Sequence, residues 1–376
     1  MKSVLSACVF GALLASTVSA GPLEKHRKTT SIHKWPSSTS TAAAATFSVP
    51  RGEEADTLRF QSWNLRYDSK ADGETIAETL ASLNATVPND DEISYYSDYS
   101  EVTWSDRRIG VSNLINFNKP DLLCVQEALY RQVTDLAALL PGYKWIGVGR
   151  DDGNISGEFE AFFYKENAVS LVDWSTFWLS ETPFEPSKYP GAGSYRSATV
   201  GHFKSKAGNK FTGICTHWDD QSDTQRQVAA SLLRYRGAYE TAKTKKPVIL
   251  FGDFNSQSTG SDSGGYEIIT GESDILSINE TFAETYNSSL ADTFVFKDLL
   301  KETAPQFRSG HHATFNGFKA IGATSDFTRI DFQMAGSNST WEVETYRVEE
   351  NFFDNEYHLS DHRPVLSDFS VGYKKH

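Results

Sequence analysis

The 376-residue sequence has few cysteines and no long uninterrupted apolar stretch beyond its first twenty residues. Of its three cysteines, Cys8 lies in the apolar N-terminal run, and the spacing of Cys124 and Cys215 gives no zinc signature. No later segment reaches about 18 successive apolar residues, so we expect no stable membrane insertion. No Gly-X-Ser-X-Gly motif occurs, which disfavours a Ser-His-Asp hydrolase.

Positive charge is also scarce. The formal net charge is −13, and because residues 1–46 carry +4, the remaining body carries −17. A broad basic surface is therefore absent, and tight non-specific binding to duplex nucleic acid is not expected. This does not exclude a nuclease, since a bound divalent cation and a few local arginines can create a positive field at one place.

The N-terminus has the pattern of a secretory signal peptide. Lys2 precedes an apolar run over residues 4–15, and Val18-Ser19-Ala20 resembles a cleavage site. We expect residues 1–20 to be that signal, residues 21–50 to be a disordered linker or pro-segment, and residues 51–376 to be one folded domain. The predicted protein is secreted and monomeric. Five sequons favour a glycoprotein, and they begin at Asn84, Asn154, Asn279, Asn287 and Asn338.

Apolar periodicity predicts alternating strands and helices. Strand patterns cover residues 58–63 and 121–125, and helical spacing covers residues 104–118, with Ser105 at the start, and residues 129–140. Ser222 and Gln225 have the spacing of a capping box ahead of a further helix. This alternation is typical of a mixed α/β protein.

The most informative stretch is residues 248–255, in which four apolar residues precede Gly252, Asp253, Phe254 and Asn255. The apolar run predicts a buried strand, and glycine permits a tight exit from it. In extended chain Asp253 and Asn255 share a face, where they could hold a water molecule and a phosphoryl oxygen. Taken alone, the same residues are equally consistent with a strand that ends in an Asx turn.

The same arrangement, a polar side chain beside an apolar run, recurs along the chain. It occurs at Asn64, Glu127, His217, Asp331, Asp361 and His362. Their motifs are Ser-Trp-Asn-Leu, Val-Gln-Glu, Thr-His, Arg-Ile-Asp-Phe and Ser-Asp-His, and Gly-Asp-Phe-Asn joins them at residues 252–255. In this order, over residues 58–369, the motifs resemble the endonuclease/exonuclease/phosphatase superfamily. The resemblance implies a four-layer α/β sandwich of two mixed β-sheets flanked by helices.

The resemblance also implies a set of roles. Glu127 would be the principal ligand of Mg²⁺ or Mn²⁺. Asp253 and Asn255 would orient the water and the phosphoryl group, and His362, held by Asp331, would complete the acid-base machinery. His217 would contact the scissile phosphate.

The residue types point to the same chemistry. Mg²⁺ prefers oxygen ligands and retains several waters, so Glu127 with Asn64 and Asp361 would suffice to bind it. Arginine meets two phosphate oxygens at once, and Arg196 is the candidate substrate contact.

The position of the cysteines relative to these motifs gives a further expectation. Cys124 lies three residues before Glu127, and Cys215 lies two residues before His217. Strand alternation would place the two sulfurs on opposite faces relative to the site, so the sequence predicts two buried thiols rather than a disulfide.

The sequence leaves the substrate open. A secreted, metal-dependent phosphodiesterase of nuclease type is the first interpretation, with a phosphoester, nucleic acid included, as its partner. A phosphatase or sphingomyelinase-like lipid phosphodiesterase on the same scaffold is the alternative. A non-catalytic binding protein is a third, weakened because binding alone does not need the complete set of acids, amides and histidines.

Overall fold

The computed structural model of the chain describes residues 56–70, 72–83, 100–319, 327–353 and 357–372. The predicted signal peptide, the predicted linker, the first residues of the predicted domain and the sequon at Asn84 lie outside the described residues.

Thirteen strands of the described chain form two sheets. They are β1 (Asp56–Asn64), β2 (Leu122–Ala128), β3 (Tyr143–Ile146), β4 (Phe159–Lys165), β5 (Val169–Trp178), β6 (Ser197–Ser205), β7 (Lys210–His217), β8 (Val248–Asp253), β9 (Phe296–Asp298), β10 (Arg308–Gly310), β11 (Asp331–Gly336), β12 (Trp341–Val348) and β13 (Val365–Val371). The first sheet has the order β10-β12-β13-β1-β2-β4-β3, and the second has the order β5-β6-β7-β8-β11-β9. Both sheets are mixed, because β1 pairs in parallel with β2 and β7 in parallel with β8, while most other pairs are antiparallel.

Seven α-helices connect these strands in the described residues. They are α1 (Ile76–Ser82), α2 (Trp104–Asn118), α3 (Tyr130–Leu139), α4 (Asp223–Thr244), α5 (Gly264–Thr270), α6 (Glu280–Thr285) and α7 (Leu299–Glu302), and a short 3₁₀ helix spans Pro305–Phe307. Among the described residues, no helix combines the length and the apolar character that crossing a membrane requires.

The buried apolar side chains form three layers that hold the sheets and helices together. One cluster lies between the two sheets and includes Phe60, Phe162 and Phe251. A second cluster packs α2 and α3 on the outer face of the first sheet, and a third packs α4 and α5 on the outer face of the second sheet. Alternating residues of each strand supply the inner and outer clusters, as strand geometry requires. The predicted four-layer sandwich is confirmed.

Side-chain caps fix where the helices begin. Helix α2 has the predicted span, but its cap is Thr103, whose hydroxyl accepts a hydrogen bond from the backbone N–H of Asp106. Ser222 caps α4 in the same way through the N–H of Gln225. The second half of the predicted capping box does not form, because the Gln225 side chain bonds the backbone at Asp219 and Leu179 instead. Each such cap stabilises its helix by about 1 kcal/mol.

The prediction of two free thiols was wrong, because Cys124 and Cys215 form a disulfide between β2 and β7. Side chains do not alternate regularly along β2, because a β-bulge shifts its register against β4 between Val125 and Ala128. The bulge changes the face on which Glu127 lies, whereas Cys124 precedes it and points between the sheets. Cys215 points into the same cluster from the opposite sheet.

Candidate active site

The candidate site lies at one edge of the sandwich, where strands of both sheets end or begin. In the first sheet the parallel strands β1 and β2 end near Asn64 and Glu127, and the antiparallel β13 begins just after His362. In the second sheet β7 and β8 end at His217 and Asp253, and β11 begins opposite Asp253 at Asp331. The eight predicted acids, amides and histidines, which lie at or near strand ends, therefore converge from distant parts of the chain.

Gly252 has a different role from the predicted one. It lies within β8 rather than at its exit, and a Cβ atom at this position would come within 2.1 Å of the carbonyl oxygen of Thr216 on β7. Glycine therefore permits the close approach of β7 and β8 just before His217 and Asp253.

The two interpretations of Asp253 and Asn255 prove compatible. The strand ends at Asp253, and Asn255 has a positive φ of 45°. The backbone N–H of Asn255 donates to Oδ1 of Asp253 at 2.8 Å, which is the contact of an Asx turn. Both side chains nevertheless line the same cavity, so the turn aims them at the site.

Glu127 lies in the β2 bulge with a φ of +62°, a left-handed conformation that is uncommon for a residue with a side chain. Its carboxylate is held on both oxygens. The Asn64 amide donates to Oε1 at 2.9 Å, and the backbone N–H of Tyr67 donates to Oε2 at 3.1 Å. Such backbone conformations cluster at functional sites, where surrounding contacts maintain them.

The same Asn64 amide nitrogen joins Glu127 to the second sheet, because it also donates to Oδ2 of Asp253 at 3.0 Å. One ligand atom each from Glu127, Asp253 and His362 lie within 4.8 Å of one another, a spacing that could hold a metal ion. Of the predicted metal ligands, Glu127 belongs to this group. Asn64 lies beside it, although its amide oxygen accepts a hydrogen bond from the backbone N–H of Arg66. Asp361 lines the same cavity, and the assignments of all three stay predictions.

His362 and Asp331 form the predicted pair, with Nδ1 of the imidazole 2.9 Å from Oδ2 of the carboxylate. Nε2 of His362 lies 3.6 Å from Oδ2 of Asp253. Burial lowers the pKa of His362, but the nearby carboxylates of Asp331 and Asp253 outweigh burial and raise it well above its ordinary value. The histidine is therefore positively charged in a group of acids.

His217 has the opposite charge state. Burial, together with the positive charges of Arg196 and Arg150, holds the pKa of His217 well below its ordinary value, so the ring is neutral. The Asn255 amide nitrogen lies 3.0 Å from Nε2 and donates to it, which leaves the proton on Nδ1. Nδ1 lies 3.7 Å from Oε2 of Glu158.

Asp253 is fully buried between the two histidines. Burial, followed by the charge of Asp331, raises the pKa of Asp253 to about 7. A carboxylate with this pKa can accept a proton near neutral pH more readily than an ordinary aspartate.

These side chains border a cavity of about 650 Å³, which is a usual size for a small-molecule site. Its lining includes six carboxylates and three arginines: Glu127, Glu158, Asp220, Asp253, Asp262 and Asp361, with Arg66, Arg150 and Arg196. The predicted substrate contact Arg196 is therefore at the cavity. Two of its nitrogens are already engaged, since Nε donates to Asp219 at 3.3 Å and Nη2 donates to Asp220 at 2.7 Å.

Arg150 and Glu158 pair at 2.6 Å beside His217, although Arg150 was only one of several arginines near the motifs in sequence and Glu158 was not predicted. A fully buried acid behind them, Glu160, whose carboxylate accepts a hydrogen bond from Ser197, was also not predicted. A signal was present, because Glu158 and Glu160 interrupt the apolar run at the start of β4, where charge is unexpected unless it is paired.

Comparisons with known proteins agree with this arrangement. Residues 62–362 match the model of the Endonuclease/Exonuclease/phosphatase family. A comparison with curated protein sequences finds no significant match. An endonuclease/exonuclease/phosphatase from Bacteroides vulgatus shares 31% identity at a TM-score of 0.62, and the alignment covers 83% of this chain and 98% of that one.

Two further solved structures are similar. A mannosyl-6-phosphatase from Bacteroides thetaiotaomicron shares 26% identity at a TM-score of 0.62, with 83% of this chain and 99% of that one covered. The human nocturnin catalytic domain shares the fold, at 17% identity and a TM-score of 0.53, over 84% of this chain and 94% of that one. The family match spans most of the chain and includes every residue of the predicted catalytic and metal sets. The chain belongs to the Endonuclease/Exonuclease/phosphatase family, whose members hydrolyse phosphoesters.

Proposed function

We propose that this protein is an exported, divalent-metal-dependent hydrolase that acts on small phosphate esters. The observation that carries the metal dependence is the charge of the cavity, in which six carboxylates face three arginines. A phosphate ester is itself anionic, so this lining would repel it unless a cation is bound. Glu127, with Asn64 beside it and Asp361 in the same cavity, would hold such a cation, because oxygen donors are the ligands that Mg²⁺ and Mn²⁺ prefer.

A bound Mg²⁺ or Mn²⁺ would polarise a phosphoryl oxygen and neutralise part of its charge. The chain's own residues would perform the remaining work. Asp253, with its pKa near 7, is suited to accept the proton of the attacking water. The positively charged His362, held by Asp331, is suited to stabilise negative charge that grows on the phosphoryl oxygens. Asn255 and the neutral His217 form the facing polar wall, which would position the phosphoryl group.

Two observations favour a small ester over a polynucleotide. The body carries −17, and two exposed aspartates, Asp220 and Asp262, border the cavity and would repel flanking phosphates. The relative at 26% identity is named as a mannosyl-6-phosphatase.

A phosphodiesterase of nuclease type, the first interpretation of the sequence, is the second candidate. Tyr67 and Phe315 lie in the cavity lining, where aromatic rings could stack on a nucleotide base.

Export is proposed on two grounds. The first is the signal-like pattern of residues 1–20. The second is the Cys124–Cys215 disulfide, since such bonds persist in oxidising compartments and are rare in the cytosol. The sequons at Asn154, Asn287 and Asn338 are exposed and would be open to glycosylation. Asn279 is different, because its side chain caps α6 and donates to the carbonyl of Glu181.

The proposal is tested by metal titration of the purified protein with phenyl phosphate, single-stranded DNA and single-stranded RNA as substrates. EDTA should abolish turnover, and Mg²⁺ or Mn²⁺ should restore it. Full activity after exhaustive chelation would contradict metal dependence. Cleavage of DNA or RNA without turnover of phenyl phosphate would favour the second candidate.

Glu127→Gln separates a metal ligand from a merely structural residue. The variant loses one ligand charge and keeps the side-chain shape, so we expect weaker Mn²⁺ binding by calorimetry and turnover that recovers partly at higher metal concentration. Glu342→Gln, an exposed substitution of the same kind on β12, is the matched control and should behave as wild type. Equal Mn²⁺ affinity in the wild type and Glu127→Gln would show that Glu127 is not a ligand.

A further inference from the structure

One buried residue organises the rim of the cavity. Asp219 follows β7, and its carboxylate accepts backbone N–H groups from both sides of the cavity mouth, at Gly193, Ser194, Gln221 and Ser222. Two buried arginines also bond to it. Arg196 donates to its carboxylate at 3.3 Å, and Arg226 donates to its carbonyl oxygen at 2.9 Å.

Each of these arginines holds one exposed aspartate at the cavity. Nη2 of Arg196 donates to Oδ1 of Asp220 at 2.7 Å, and Nη2 of Arg226 donates to Oδ1 of Asp262 at 2.9 Å. The arginine side chains are only 4% and 3% exposed, whereas those of Asp220 and Asp262 are 51% and 53% exposed. Within the described part of the chain, the Oδ2 atoms of both aspartates accept no hydrogen bond from protein. Each aspartate thus keeps one carboxylate oxygen without a protein donor at the rim of the cavity.

A second observation points to a ligand at the same place. Nη1 of Arg196 is buried and has no hydrogen-bond partner among the described residues, although the side chain borders the cavity. A buried donor without a partner costs free energy, so this nitrogen favours the binding of a ligand that supplies an acceptor oxygen. The side chains of Ser194 and Gln257, which can both donate and accept, lie in the lining as well.

We propose that Asp220, Asp262 and Arg196 form a hydroxyl-binding subsite that recognises the polyol portion of the phosphate ester. This inference rests on the proposed function and adds the class of the leaving group to it. A hydroxyl group both donates and accepts, so it can donate to a rim carboxylate while a neighbouring oxygen accepts from Nη1 of Arg196. Two fixed carboxylates suit a neutral polyol and disfavour an anionic or purely apolar leaving group.

The test compares polyol phosphates with an ester that has no hydroxyl groups. Glucose 6-phosphate, mannose 6-phosphate and glycerol 3-phosphate serve as the polyol esters, and phenyl phosphate serves as the reference. The wild type should prefer at least one polyol ester over phenyl phosphate. Asp220→Asn and Asp262→Asn should each reduce kcat/KM for that ester roughly tenfold, mainly through KM, because each weakens a hydrogen bond to a charged acceptor. Both should change kcat/KM for phenyl phosphate by a clearly smaller factor than kcat/KM for that ester.

Two controls address structural damage. Asp292→Asn replaces an exposed aspartate away from the cavity, and it should leave kcat/KM for both substrates unchanged. Gln257→Ala shortens an exposed side chain at the rim, and it should reduce kcat/KM only for the polyol ester.

Equal loss on both classes of ester, or no preference of the wild type for any of the three polyol esters, would overturn the subsite while leaving the proposed function intact. Failure of the wild type to hydrolyse any of the four esters with Mg²⁺ or Mn²⁺ would overturn both.

Discussion

At the scale of single residues, the site separates the charge states of two histidines that face one cavity. His362 lies against Asp331 and near Asp253 and is positively charged, whereas His217 lies near Arg196 and Arg150 and is neutral. Neighbouring charges, rather than burial, produce this difference, because both rings are buried. Titratable groups whose surroundings push their pKa values apart are typical of acid-base chemistry.

If Asp331 acts only through His362, the losses of activity caused by substituting the two residues will not be additive. We expect Asp331→Asn and His362→Ala each to reduce kcat by about 100-fold or more, and the double variant to be no more than about threefold slower than the slower single variant. Steady-state kinetics at saturating metal measures this, with thermal unfolding as the check on folding. A double variant whose loss equals the product of the two single losses would show that the residues act independently.

Glu160 predicts a pH dependence of stability. This carboxyl group is fully buried, and burial raises its pKa from 4.5 to about 7 despite the nearby Arg150. The unfolded chain therefore ionises at lower pH than the folded one. The contribution of Glu160 to stability is fully present below about pH 4.5 and is lost as the pH rises through about 7.

Glu160→Gln removes this titration. The free energy of unfolding of the variant, relative to that of wild type, should increase by about 1–3 kcal/mol between pH 5 and pH 8. Urea unfolding at both pH values measures the difference, and Glu342→Gln on the exposed face of β12 provides the comparison. Parallel pH dependences of the wild type and Glu160→Gln would contradict the raised pKa.

At the scale of elements, the disulfide joins the two strands that carry Glu127 and His217. The bond links residues 91 apart in the sequence, so it restricts a long loop of the unfolded chain. Loop-closure arguments give a stabilisation of about 4.6 kcal/mol for a loop of this length.

The double variant Cys124→Ser with Cys215→Ser should therefore unfold with about 2–5 kcal/mol less free energy than the oxidised wild type. The wild type unfolded in urea with a thiol reductant should show a similar loss, and this comparison involves no substitution in the core. Identical urea midpoints with and without reductant would mean that the bond does not stabilise the fold.

Local elements were the most predictable part of the structure. Periodicity gave the span of α2 correctly and placed β1 within two residues at its start, because apolar spacing reports directly which face of an element is buried. The assembly of motifs at one cavity was anticipated only through the resemblance to a family. The rest depends on tertiary contacts: the bulge at Glu127 involves no glycine, and the pairing of Arg150 with Glu158 needs the folded cavity.

At the scale of the whole molecule, the net negative charge favours solubility but opposes the binding of an anionic substrate at the site. A body of −17 is favourable for solubility and unfavourable for a polyanionic substrate. The cavity is acidic as well, so any positive field at the reaction centre has to come from a bound cation together with Arg66, Arg150, Arg196 and His362. Under the proposed function, selectivity against long polyanions would depend on the overall composition as much as on the cavity rim.

The first and last strands of the described chain lie side by side in the middle of the first sheet, where Arg59 of β1 meets Asp368 of β13 across 309 residues of sequence. Contacts this distant in sequence form late, since nearly the whole chain must be available before they can close. Asp361 and His362 lie on the approach to the same last strand. Without β13 the first sheet lacks a central strand, and Asp361 and His362 lack the neighbouring element that fixes them at the cavity. The two ends of the described chain must therefore meet before Asp361 and His362 can join the other side chains of the cavity.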